Sequence, residues 1–250
     1  MRIHIVGADE RLKICAALLE KNPPRAVRDI WLLPIPVTRD GICAAGTGIR
    51  LDEITDGVEA KDAVVAYGAE AALREQIVSR SALLVDPSRD EEYISANAYL
   101  TAVGAIGRIL TEESAAPCQL SVGVIGYGRI GKHLVRTLLF LGATVRVFTS
   151  KSTLRSDLAL LGVTGVDSCS LSDGAPDAFS GLDILINTAP AALIPSGAES
   201  ALKNTRVIEL ASGKNLPESI LCESWRSVPA AMYPESAGHE LYLSVMRMLA

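Results

Sequence analysis

Gly126, Gly128 and Gly131 stand in G-x-G-x-x-G spacing. That spacing lets a backbone come up against a pyrophosphate. The first glycine turns the chain sharply out of a strand, the second removes the Cβ that would hold a phosphate away, and the third lets the following helix pack closely. The flanks suit the role. Val122 to Ile125 is a short apolar run, and Ile130, Leu134, Leu138 and Leu141 recur at helical spacing until Gly142. Val145 to Phe148 is a second apolar run. This reads as one strand–turn–helix–strand unit of about 30 residues. Its helix N-terminus would offer free N–H groups and a favourable dipole to phosphates. Gly126, Tyr127, Gly128, Arg129 and Ile130 are the expected cofactor contacts. The other reading of the same residues is a glycine turn that serves packing alone.

The end of the second strand bears on which dinucleotide would bind. A site preferring NAD usually carries Asp or Glu there, bonded to the ribose 2′-hydroxyl. Here the chain reads Thr149, Ser150, Lys151, Ser152, Thr153, Leu154, Arg155, with no acid before Asp157. Hydroxyls and cations suit a 2′-phosphate, so NADP(H) is favoured over NAD(H). Ligands of such sheets bind beyond the carboxyl ends of the strands. That adds the turn Asn187, Thr188, Ala189 as a further cofactor contact and places substrate in a cleft facing the nicotinamide.

A carboxylate substrate needs cations or polar donors. Thr38, Arg39 and Lys214 sit on expected strand-end loops, and Asn97 and Thr101 lie four apart on one helix face. These are the substrate-binding candidates, with solvated loop residues or local helix bonds as the plain alternative. No catalytic base is apparent. Of the three histidines, His4 lies within a strand and His133 on the cofactor helix. His239, at the start of the last helix, is the remaining candidate.

The elements that would position these residues follow from composition and pattern. The chain has 250 residues, 49% hydrophobic but only 4% aromatic, so its core must be aliphatic. That suits layered α/β structure with parallel strands. A formal charge of −5 argues against a nucleic-acid or anionic-membrane surface. Five scattered cysteines without a C-x-x-C pair suggest reduced thiols in a cytoplasm and no metal site. No apolar run approaches the roughly 20 residues of a membrane span.

Strands are expected at 2–6, 29–33, 63–67 and 82–85, with helices at 10–21 (capped by Asp9) and 69–78. A long helix over 90–111, apolar nearly all round, should be buried and join two domains. Beyond the glycine unit, a helix over 156–161, strands at 165–168, 183–187 and 206–210, and a final helix over 236–249 complete the pattern. The fold class is α/β, a two-domain Rossmann type with parallel sheets. Residues 1–93 form an N-terminal substrate domain, 94–116 the connecting helix and linker, 117–234 the NAD(P)-binding domain, and 235–250 a helix returning to the first domain.

Several segments resemble one family. They are Gly7-Ala8-Asp9-Glu10-Arg11, Leu33-Pro34-Ile35-Pro36 with Thr38, Asp40 and Gly41, and Asn97 with Thr101, Gly104 and Ala105. The glycine motif, Asp183 to Pro190, Leu210-Ala211-Ser212, and Pro229 with Pro234, Ala237 and Gly238 follow in order. Together they are similar to the dehydrogenase subunit of dipicolinate synthase over nearly the whole chain. The resemblance implies a pyridine-nucleotide dehydrogenase that oxidises a hydroxylated tetrahydrodipicolinate, a cyclic dicarboxylate, to the dipicolinate of bacterial spores. It also implies a flavoprotein-like B subunit as partner, and a homo-oligomer is expected. The glycine motif alone would equally fit other two-domain dehydrogenases. The chain departs from the family pattern at Val103, where Glu is expected, at Gly213-Lys214-Asn215 in place of Pro-Gly-Gly, at Ala230 in place of Gly, and at Glu235 in place of Lys. Those departures keep open a related dehydrogenase of another hydroxy or keto acid, and a non-catalytic nucleotide-binding subunit.

Overall fold

The computed structural model describes residues 1–169, 176–195, 197–213 and 215–250. The chain divides into two compact units, one made of residues 1–100 with 229–250 and the other of 101–228.

The first unit is built on four short parallel strands, β1 (Ile3–Ile5), β2 (Ile30–Leu32), β3 (Ala63–Val65) and β4 (Leu83–Val85), side by side in chain order. Alternation sends their side chains to two cores. Ala63 and Val65 pack with Ile30, Leu32, Tyr93 and the inner faces of α1 (Glu10–Lys21) and α8 (Pro234–Leu249). Val64 and Ala66 pack on the other side with Ile54 of α2 (Leu51–Asp56) and Leu73 and Ile77 of α3 (Ala71–Ser79). Leu12 and Leu19 from α1 and Leu241 and Val245 from α8 are wholly buried, each contributing about 1.5–3 kcal/mol. The two helices meet where Gly238 faces Ile14, and a Cβ on Gly238 would come within 2.7 Å of the Ile14 Cβ.

Asp9 caps α1 as expected. Its carboxylate accepts from the Arg11 N–H at 3.0 Å and pairs with the Arg11 guanidinium at 2.6 Å. Arg11 is itself buried and also donates to the Ile35 carbonyl at 3.3 Å. Ile35–Pro36 is a cis peptide. Neither α2 nor this cis bond is expected from the sequence pattern, since six residues are too few to establish a period.

Helix α4 (Glu91–Glu112) passes from one unit into the other. It is not buried all round as its composition suggests, for Tyr99 is 53% and Leu110 45% exposed. The reason is that its two halves bury different stripes. Tyr93 belongs to the first unit's core, whereas Ala102, Ala105, Ile106 and Ile109, at 3- and 4-residue steps, belong to the second's.

The second unit is a six-stranded parallel sheet in the order β10-β9-β8-β5-β6-β7. The strands are β5 (Ser121–Ile125), β6 (Thr144–Thr149), β7 (Thr164–Asp167), β8 (Ile184–Asn187), β9 (Arg206–Glu209) and β10 (Glu223–Ser224). Strand order reverses at β5, which lies between β6 and β8. That reversal is the topological switch point at which such sheets bind dinucleotides. Helix α5 (Arg129–Phe140) packs Leu134, Val135 and Leu138 on one face, and Phe148, Leu185 and Val207 line a second core on the other. Helix α6 (Ser152–Leu160) starts four residues earlier than expected, directly after Lys151, because nothing in Ser152-Thr153-Leu154-Arg155 breaks it. Strand β10 and α7 (Val228–Met232) are further elements too short to read from periodicity.

Candidate functional site

The glycine turn lies at the carboxyl end of β5, and its three glycines meet three different constraints. Gly126 has φ +91°, and a Cβ there would lie 2.8 Å from Thr188 Oγ1 and 3.2 Å from the Ala189 Cβ. At Gly131 a Cβ would come within 2.2 Å of the Gly126 carbonyl oxygen, so helix and turn close on each other through its missing side chain. A Cβ on Gly128 would meet nothing within 4 Å. Packing therefore explains Gly126 and Gly131 but not Gly128. Gly128 also caps α5 with no side chain bonded to the helix N–H groups. A bare helix end beside open space is what a pyrophosphate requires, and the residues present fit a dinucleotide on that observation.

Around the turn, Tyr127 and Ile130 are half-buried against the core and Arg129 is exposed. Lys132 places its Nζ 5.9 Å from the centre of the Tyr127 ring. At the end of β6, Thr149 is buried while Ser150, Lys151 and Ser152 are exposed. The Lys151 N–H donates to Thr149 Oγ1 at 3.4 Å. Arg155 is engaged elsewhere, donating to the Thr149 carbonyl at 2.9 Å and pairing with Asp167 of β7 at 3.1 Å. Of the two cations expected near a 2′-phosphate, Lys151 is the one that stands exposed at the strand end, and Arg155 ties β6 to β7 instead.

The turn after β8 forms the other wall. Asn187 is 1% exposed. Its Oδ1 accepts from the Ala189 N–H at 3.1 Å, and its Nδ2 donates to the Ala189 carbonyl at 3.2 Å. Thr188 Oγ1 donates to the Ile125 carbonyl at 2.9 Å, with Gly126 O at 3.3 Å. The predicted contacts Gly126–Ile130 and Asn187–Ala189 are thereby brought together at the switch point.

Sequence reasoning missed Glu209, at the end of β9 and 3% exposed. Both its oxygens accept from Asn187 Nδ2, at 3.1 and 3.0 Å, and Oε1 also accepts from the Ala211 N–H at 2.9 Å. Burial pushes its carboxyl above the ordinary glutamate range, against the pull of Asn187, the Ala211 N–H, Arg226 and Asn215. Arg226 in turn donates to the carbonyls of Ala211 and, at 2.9 Å, Gly213. A lone acid closing an apolar strand was the one available signal.

The substrate candidates fall apart. Thr38 lines a cavity of about 460 Å³ in the first unit, with Arg50, Asp52, Tyr67, Glu70 and Gln76. Its hydroxyl is held in a local turn by Asp40 and the Gly41 N–H. Arg39 is exposed and lines a separate shallow depression with Asp40 and Cys43. Asn97 is half-buried and Thr101 buried, four apart on α4, and both have bonding partners. Lys214 lies outside the described residues. His239 is exposed, in a groove walled by α1 and α8 with Ile14, Lys21 and Glu235. Among the described residues, no strand-end loop lines that groove.

No protein-family model matches the chain, and no curated protein sequence matches it. Solved structures do resemble it. The A chain of dipicolinate synthase from Bacillus subtilis superposes with a TM-score of 0.77 at 19% identity, covering 100% of this chain and 95% of that one. The corresponding dipicolinate synthase chain from Bacillus halodurans gives 0.79 at 20% identity, covering 100% and 97%. A transhydrogenase from Sinorhizobium meliloti gives 0.66 at 15%, covering 98% and 91%. At these identities the likeness is one of fold, and the fold is the two-domain Rossmann type expected from the sequence.

Proposed function

We propose that the chain is an NADP(H)-dependent oxidoreductase of small carboxylates, in the manner of the dipicolinate synthase chains it resembles. Its substrate would then be a hydroxylated tetrahydrodipicolinate. The observation that carries the reading is the open space at Gly128 beside an uncapped helix end, at the switch point of the sheet. The turn N–H groups would hold the pyrophosphate. Lys151, Ser150 and Ser152 would meet a 2′-phosphate at the end of β6, and the Asn187–Ala189 turn would add a further cofactor contact. When bound, the nicotinamide supplies hydride transfer. Thr38 and its cavity orient substrate. A flavoprotein-like partner subunit and assembly as a homo-oligomer belong to the same reading.

One observation favours a second substrate class. Arg50 is the cation among the residues lining the Thr38 cavity, and its guanidinium is already paired with Asp52 at 2.6 Å. Glu70 adds a second carboxylate. A cavity with that cation paired and a carboxylate in surplus disfavours a ring dicarboxylate more than a monocarboxylic hydroxy or keto acid. The test is the change in reduced-nicotinamide absorbance of the full chain with cyclic dicarboxylates and with hydroxy acids, each with NADP⁺ and NAD⁺. Turnover of a dicarboxylate with NADP⁺ supports the first reading, and turnover of hydroxy acids alone supports the second. Saturable dinucleotide binding without turnover, even with a flavoprotein partner present, leaves a nucleotide-binding subunit and contradicts both.

A further inference from the structure

We propose that Glu209 is a positioning residue for the dinucleotide, acting through Asn187 to fix the turn that walls the glycine cradle. The inference rests on the dinucleotide reading above. An asparagine amide has a donor end and an acceptor end of nearly equal shape, and it is oriented by what faces it. An ionised carboxylate accepts only. Both Glu209 oxygens face Asn187 Nδ2, at 3.1 and 3.0 Å, and so reinforce the orientation in which Oδ1 meets the Ala189 N–H. That single choice satisfies both backbone groups of Ala189 from one side chain.

Ala189 is no remote residue. Its Cβ and N lie 3.2 and 3.3 Å from where a Gly126 Cβ would stand, and its neighbour Thr188 donates to the Ile125 carbonyl. A connected path thus runs from Ala211 through Glu209, Asn187 and Thr188 to the first glycine of the cradle. Were Asn187 to flip, its NH₂ would oppose the Ala189 N–H, and the wall would have to move away from Gly126.

The carboxylate is an expensive way to hold a fold. Buried charge is disfavoured, and here burial outweighs the favourable bonds, so the ionised form of Glu209 weakens the folded state as pH rises. A role confined to stability would be met as well by a neutral residue. The groups facing Glu209 are the Asn187 and Asn215 amides, the Ala211 N–H, the Arg226 guanidinium and the Cys222 thiol, which burial and Glu209 together push up. Once Glu209 takes up a proton it can donate as well as accept, and the Asn187 orientation then rests on the Ala189 backbone alone.

The test measures NADH and NADPH dissociation constants by nucleotide fluorescence, from below the ordinary glutamate range up to pH 8, on the full chain. Glu209→Gln and Glu209→Asp are compared in a His133→Gln background, which removes the histidine between 101 and 228. The Gln variant is expected to bind NADH about tenfold or more weakly at pH 8, as hydrogen bonds to a charged group are lost. The Asp variant should recover part of that. With Glu209 intact, NADH binding should weaken as pH falls, and with Gln it should not depend on pH. NADH binding by the His133→Gln chain that is saturable but flat with pH, or a Gln variant that binds NADH as that chain does, overturns the positioning role even if the melting temperature falls. The profile of the His133→Gln chain needs no change at Glu209 to fold. No binding by the wild-type chain overturns the dinucleotide reading itself, and this inference with it.

Discussion

Gly128 and Gly131 stand three residues apart, and the same substitution should change stability at one and not at the other. Gly131→Ala drives a Cβ to 2.2 Å from a backbone oxygen, so backbone must shift, at roughly 1–3 kcal/mol. In a chain of this size that lowers the melting temperature by several degrees, and dinucleotide binding falls with it. Gly128→Ala meets no atom within 4 Å. It should leave the melting temperature nearly unchanged while weakening dinucleotide binding at least about tenfold, since the new methyl occupies the approach to the pyrophosphate. Calorimetric melting and nucleotide titration of the two variants separate the cases. Lys151→Ala makes a narrower claim. Loss of an exposed cation on a phosphate should weaken NADPH by about tenfold and leave NADH binding unchanged. Equal losses for the two nucleotides would remove the 2′-phosphate reading.

Among the elements, helix ends and strand ends decide how much was legible in advance. The cap at Asp9 and the span of α1 are plain in the sequence because one acid precedes a long apolar period. The glycine unit is plain because three glycines fall between two aliphatic strands. Helix α2, β10 and α7 are not, for pieces of two to six residues carry no period. The buried face of α4 misleads for a different reason, since its apolar residues serve two cores in turn and expose Tyr99 and Leu110 between them.

Asp86 shows a strand end whose chemistry only the structure displays. Burial works against its charge. Bonds from the Ser88 hydroxyl at 2.7 Å and the Gly68 N–H at 2.8 Å, with Arg74 at 3.2 Å, outweigh it and hold the carboxyl below the ordinary aspartate range. A lowered pKa contributes stability that is fully present above the unfolded value of about 3.9 and is lost as pH falls through the folded value. Asp86→Asn should therefore melt lower than wild type by a constant margin between pH 5 and 7. The margin should close only below the ordinary aspartate range. A margin that closes near neutrality would contradict the assignment.

At the scale of the molecule, the sequence pattern carries the fold class and the glycine turn of the candidate site. Strand order could not be read directly, yet the reversal at β5 places the predicted glycines and the Asn187–Ala189 turn side by side. The substrate half is less legible because polar residues on loops have no period. Thr38 and Arg39 are adjacent in sequence but line different concavities. Glu209 was missed because its role comes from pairing between β8 and β9, where Asn187 and Glu209 are register partners 22 residues apart. The charge balance of the Thr38 cavity likewise exists only once Arg50 meets Asp52.

The central claim is that the second unit holds a pyridine dinucleotide on its glycine turn. Isothermal titration of the full chain with NADPH and with NADH, beside Gly128→Ala, tests it most directly. The expected result is one saturable site per chain, tighter for NADPH, weakened at least about tenfold for both nucleotides by Gly128→Ala. Absence of saturable binding by the wild-type chain, or equal affinity in the Gly128→Ala variant, would contradict it.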